Sequence, residues 1–170
     1  MKQLLFSAVL FLSLVACGQA DKSKRPSPPA LANETIKSGA VVSIDYSQPS
    51  VKGRTIGKDL EPMEGKVWRA GANEATVFET SKDVKVEGQA LPAGKYAFFT
   101  IMNGDEWTLI FNKTSSQWGA FSYKEADDAL RVKVKAGKAK AFTEKLTYTI
   151  DKSGKVSLMW GDKQVDFNVK

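Results

Sequence analysis

The run YAFFTIMNGDEWTLIF, residues 96–111, decides the fold. Residues 96–102 and 107–111 are rich in aromatic and β-branched side chains, and the four residues between them, NGDE, contain the Asn-Gly pair that tight hairpins favour. Two antiparallel strands follow from that pattern. In residues 96–102 apolar side chains occupy odd and even positions alike, so both faces of the strand need apolar neighbours, as in a central strand.

Working outward, the flanking chain alternates with period two. Val42, Ile44 and Tyr46 are separated by Ser43 and Asp45; Leu130, Val132 and Val134 by cations; Leu146, Tyr148 and Ile150 by threonines. Such alternation describes half-buried strands. Toward the end, Val156, Leu158 and Trp160 follow the turn residues 151–154, and Val165, Phe167 and Val169 follow Gly161, so the pattern predicts a three-stranded C-terminal meander. No long helix is predicted; residues 138–144 read as a short turn. About nine strands joined by short turns predict an all-β domain, an antiparallel β-sandwich with a jelly-roll-like arrangement, over residues 35–170.

The N-terminus reads differently. Residues 1–16 carry one cation, Lys2, then an uncharged apolar run too short for a comfortable membrane span, and Leu14-Val15-Ala16-Cys17 fits the bacterial lipobox. Residues 1–16 are therefore expected to be a lipoprotein signal, with Cys17 acylated. Because Gly18 and Gln19 follow rather than Asp, the expected destination is the outer membrane, on its periplasmic face. Residues 17–34, polar and Pro-rich, read as a tether.

Absences narrow the chemistry. The chain has no histidine and one cysteine, Cys17, so Ser-His-Asp triads, Cys-His pairs and His-based metal sites are excluded. There is no Gly-rich phosphate loop. No metal and no cofactor is expected. The formal charge of +6 falls to +5 without residues 1–16, and much of it lies in residues 131–140, RVKVKAGKAK, which read as the solvent face of a strand and its following turn. Nucleic acid is not expected as a partner.

Two Arg-bearing loops remain. In residues 44–54, IDYSQPSVKGR, Pro49 breaks a strand and Gly53 permits a turn before Arg54; in residues 67–76, VWRAGANEAT, Trp68 and Arg69 end a strand before the small residues 70–72. If these loops meet, Arg54 and Arg69 lie beside Asp45, Asn73 and Glu74, with Trp68, Trp107, Trp118 and Tyr123 as flat stacking surfaces. Paired guanidinium forks suit carboxylate, phosphate or sulfate. The alternative is structural: Arg69 with Glu74, and Arg54 with Asp45, as ion pairs that fix the loops.

Together with LPAGKYAFFTI (residues 91–101), WTLIFN (107–112) and QWGAFSY (117–123), these two loops make five ordered motifs, and the chain resembles the DUF2911 family of bacterial envelope proteins. One departure is that Ile56 meets Gly57 directly, where members usually carry an intervening aromatic. The resemblance implies an envelope protein and no particular reaction. Two functions are therefore carried forward. The first is a non-catalytic, membrane-anchored module that binds an anionic glycan, peptide or small molecule. The second is a hydrolase or lyase with Asp45 and Glu74 as acid and base. A structural role in envelope assembly is a third reading. Oligomeric state is left open.

Overall fold

A computed structural model describes residues 21–170; the expected signal segment and Cys17 lie outside the described residues. Ten strands run in chain order: β1 (Pro29–Thr35), β2 (Val41–Ser47), β3 (Val67–Trp68), β4 (Thr76–Thr80), β5 (Val84–Val86), β6 (Gln89–Leu91), β7 (Gly94–Asn103), β8 (Glu106–Asn112), β9 (Asp128–Ile150) and β10 (Lys155–Asn168). No α-helix occurs among the described residues. The main sheet has the order β1-β2-β4-β7-β8-β9-β10, antiparallel throughout, with β3 paired to β7 and a separate β5-β6 hairpin. It curls into a half-barrel, sandwich-like fold.

β7 is the central strand that its composition predicts. Asn103 pairs with Glu106, so Gly104 and Asp105 form the two-residue hairpin loop, with Gly104 at φ +59. On one face Phe98 meets Phe111, Tyr148 and Phe167, at ring-centroid distances of 5.2, 6.4 and 5.9 Å. Tyr148 in turn meets Tyr46 of β2 at a centroid distance of 4.7 Å, so strands from both ends of the sheet close over one aromatic core. On the other face Ala97 and Phe99 pack with Ala75 and Ile110, under Tyr123 from the loop that follows β8.

Closure comes from strands that change partner. The first part of β9 pairs with β8 up to Lys135, and its remainder pairs with β10. Beyond β2 the chain reaches across to β9, through an isolated bridge between Ser50 and Lys145 and hydrogen bonds from Val51 N to Glu144 O and from Leu146 N to Pro49 O.

Three local expectations are corrected. Residues 138–144 are strand, not turn: the period-two signal fades there because β9 leaves one set of neighbours for another and its side chains become largely exposed. The C-terminal meander is two strands rather than three. Gly161 sits inside β10 at φ +62, flanked by register shifts, so it bends the strand instead of ending it. A Cβ there would also lie 2.6 Å from Ile56 Cδ1. Finally, residues 17–34 are not tether throughout, since from Pro29 the chain is an edge strand paired with β2. Pro29 opens that strand, where its missing N–H costs least.

Candidate functional site

The loop VWRAGANEAT is an excursion from one strand line: β3 and β4 both run antiparallel to β7, with Trp68 opposite Thr100 and Thr76 opposite Phe98, so residues 69–75 leave the sheet and return to it, and most of them serve that detour. Ala70 takes φ +51 and Asn73 φ +58, conformations that L-residues adopt at a cost. The surroundings hold Ala70 there: its carbonyl accepts from Thr76 Oγ1 at 3.0 Å and from the Tyr148 hydroxyl at 2.7 Å. Trp68 Nε1 donates to Gly71 O at 3.1 Å. Gly71 is required by close approach, because a Cβ would stand 2.7 Å from Thr76 Oγ1. The small residues therefore let a strained turn pass close to a buried hydroxyl network.

The two Arg-bearing loops do meet. Arg54 and Arg69 line one cavity of about 210 Å³, together with Trp68, Trp160, Glu61 and Ser27. Arg54 is positioned by its own loop, donating from Nε to Val51 O at 3.1 Å and from Nη2 to Ser50 O at 2.8 Å. No side-chain hydrogen bond of Arg69 occurs among the described residues, and its Nε is buried without an acceptor. Its Nη1 lies beside Gly119, where a Cβ would meet it at 3.4 Å, an ordinary contact. Neither arginine has a carboxylate in ion-pair range among the described residues. Glu61, the cavity's own carboxylate, accepts instead from Met63 N at 3.0 Å.

Both structural ion pairs considered for these arginines are absent. Glu74 is held by the N-terminal strap, residues 21–28, accepting from Arg25 Nη1 at 2.8 and 3.0 Å and lying 3.1 Å from Lys22 Nζ. Asn73 Nδ2 donates to Ser27 O at 3.0 Å, and Gln48 N to Pro28 O at 2.8 Å, so the strap is fastened at three points. Asn73 and Glu74, expected beside a ligand with Arg69, are thus engaged by the strap. Asp45 lies exposed on the outer face of β2, with no ion pair to Arg54.

Burial pushes the Glu74 carboxyl up, but its own backbone N–H, Arg25 and Lys22 outweigh this and hold it at about 2, below the usual 4.5. The clamp on the strap is accordingly complete above pH 4.5 and is lost as the pH falls toward 2. Amide exchange in residues 22–28, corrected for intrinsic rates, should rise relative to the core over that interval, and Glu74→Gln should reproduce the rise at neutral pH. Equal protection of strap and core at pH 2 would contradict the clamp.

Of the aromatic residues proposed as stacking surfaces, Trp107 is fully buried and Trp68 belongs to the core, edging the cavity. Trp118 does present a face, at 57% exposure. It sits in the loop between β8 and β9, where an isolated bridge pairs it with Glu74, while Ala75 N donates to Gln117 O and Gly119 N to Asn73 O. That loop hangs on buried Asn112, which donates to Lys124 O and Asp128 Oδ1 and accepts from Thr114 N.

The stretch that holds the ordered motifs, the half-barrel and the two Arg loops is matched by a family model over residues 27–169, described as a protein of unknown function, DUF2911. The chain belongs to the DUF2911 family. Its matched region begins within the strap, consistent with the strap and β1 being part of the folded unit. No curated protein and no solved structure matches the chain.

The predicted site therefore divides in two. Arg54, Arg69 and Trp68 share the cavity, whereas Asp45, Glu74 and Trp118 line a groove on the outer face of the sheet. Sequence reasoning missed Glu61 and Trp160 as cavity walls, and Lys22 and Arg25 as partners of Glu74. The signal for the strap was present in the paired Lys22 and Arg25, read there as solvated linker.

Proposed function

We propose that this DUF2911 member is a lipid-anchored envelope protein that holds an anionic ligand, without catalysis, between Arg54 and Arg69. One observation carries the reading: two guanidinium groups line a common cavity without a carboxylate in ion-pair range of either among the described residues. A guanidinium is charged at every physiological pH, and burying part of it without an acceptor is unfavourable for folding alone. A carboxylate, phosphate or sulfate seated between the two would accept from both. The volume of about 210 Å³ suits a small anion or the acidic group of a larger glycan or peptide.

The hydrolase or lyase reading is weaker. It needs Glu74 to exchange protons near neutral pH, and a carboxyl held at about 2 by Arg25 and Lys22 stays ionised.

A thermal-shift panel of small carboxylates, dicarboxylates, inorganic phosphate, sulfate and uronic acids tests the binding reading. Stabilisation by at least one anion that disappears in Arg69→Met is expected; stabilisation that survives the substitution contradicts it. The anchor rests on the lipobox ending at Cys17 and on residues 18–19. Cys17→Ser should move the protein from the outer-membrane fraction to the soluble periplasmic one, and retention in the membrane would refute acylation there.

A further inference from the structure

We infer that the groove on the outer face of the sheet is a second ligand site, separate from the arginine cavity, and that it takes a hydroxyl-rich saccharide stacked on Trp118. The groove encloses about 550 Å³ and shares no residue with the cavity lined by Arg54 and Arg69. Its floor is laid by small side chains of the outer face, Ser43, Ala75 and Val77, and Trp118 stands at its wall.

Four observations define the ligand. First, the indole of Trp118 is more than half exposed, whereas the other three tryptophans are buried. Leaving so large an apolar face in water is unfavourable unless something covers it. Second, Trp118 is held in place rather than merely exposed. Both of its neighbours are hydrogen-bonded to the chain around Glu74, Gln117 O accepting from Ala75 N and Gly119 N donating to Asn73 O. A flat platform fixed by backbone pairing loses little entropy on binding.

Third, the groove offers acceptors that nothing in the protein uses. The Asp45 carboxylate, exposed on the outer face of β2, has no side-chain hydrogen bond or ion pair among the described residues. Fourth, donors stand among the acceptors. Lys95 pairs with Glu79 at 3.2 Å, and Ser115 and Ser116 line the same wall. A ligand whose groups both donate and accept fits this mixed set, and a sugar ring supplies such hydroxyls on its edges and C–H bonds on its face. An amine or guanidinium would satisfy the acceptors but would meet the Lys95 ammonium as well.

The tryptophan pattern supplies its own probe. Trp118 is exposed while the other three tryptophans are buried, so acrylamide should quench Trp118 first, and a ligand seated on it should reduce quenching of the purified protein. The panel consists of oligosaccharides of glucose, galactose, mannose and N-acetylglucosamine, with lysine amide and spermine as cationic comparisons. At least one oligosaccharide is expected to protect Trp118, with affinity by calorimetry falling about tenfold or more in Trp118→Ala and in Asp45→Ala, and unchanged in Arg69→Met. Protection by the amines alone would overturn the proposal in favour of a cation site. Protection by none of the panel, or saccharide affinity that survives both groove variants, would also overturn it. Because Arg69→Met disables only the anion cavity, failure here and failure of the anion reading are distinguishable.

Discussion

Arg69→Met is expected to weaken anion binding by about 30- to 1000-fold, the equivalent of 2–4 kcal/mol, and yet to leave the ligand-free protein as stable as before or more so. The two halves of this expectation come from the same geometry. In the ligand-free protein Arg69 has no carboxylate in ion-pair range among the described residues, and its buried Nε lacks an acceptor, so its polar head contributes nothing favourable to the fold. Methionine keeps an unbranched apolar stem of similar reach and removes the unsatisfied donor, a change worth about 1 kcal/mol in favour of folding. When an anion is present the same head becomes half of a charged, partly desolvated clamp, and its loss leaves Arg54 to hold the charge alone. A residue retained at some expense to stability is a mark of a functional position. Thermal denaturation with and without the stabilising anion gives both readouts. A marked fall in ligand-free stability would identify Arg69 as a structural residue.

Phe98→Ala is expected to destabilise the protein by about 3–5 kcal/mol. Phe98 is fully buried on the central strand, and its ring touches Phe111 on the neighbouring strand, Tyr148 on the far part of β9 and Phe167 on β10. Through Tyr148, which meets Tyr46 of β2 at 4.7 Å, it supports the place where the two ends of the curled sheet close on one core. Truncation removes the transfer energy of a large side chain and leaves a cavity that rigid β-strands on every side cannot close. Tyr148 also donates to Ala70 O, so loosening its ring should relax the strained turn that precedes Arg69's partners in the cavity wall. Chemical denaturation measures the loss. A cost below about 1 kcal/mol would mean that the two ends of the sheet do not share a core.

Much of this was legible in the sequence where local pattern and tertiary role agree. The run from Tyr96 to Phe111 announced a central hairpin because its apolar residues lie on both faces and its loop carries the needed Gly104. The sequence offers the meeting of the Arg54 and Arg69 loops only as a condition; it is met because residues 69–75 leave the β3–β4 line beside the end of β2, where Ala72 N donates to Ser47 O. What failed was pairing at a distance. Nothing in period-two alternation tells a turn glycine from a bulge glycine, so Gly161 was read as the end of a strand that continues through it. The change of partner within β9 erased the alternation on which a strand is recognised, hiding residues 138–144. The sequence places Glu74 with Arg69, five residues before it, either at a shared ligand or as an ion pair, when its partners are Arg25 and Lys22, about fifty residues away in a segment whose Pro-rich composition looks like linker. Charge complementarity selects a partner by proximity in space, and composition alone does not reveal which solvated cation will lie beside which carboxylate.

The arginine side chains offer the most direct test of the account. The protein has four, and the structure divides them evenly: Arg25 is tied to Glu74 and Arg131 to Glu125 and Asp128, while Arg54 and Arg69 face the shared cavity. An Nε–Hε correlation spectrum, recorded while each anion of the thermal-shift panel is titrated in, reads all four at once. The account predicts that a stabilising anion shifts the Arg54 and Arg69 signals together and to saturation, with Arg25 and Arg131 unmoved. Signals for Arg54 and Arg69 that stay still through the titration, or that drift in step with the other two, would contradict an anion site between them.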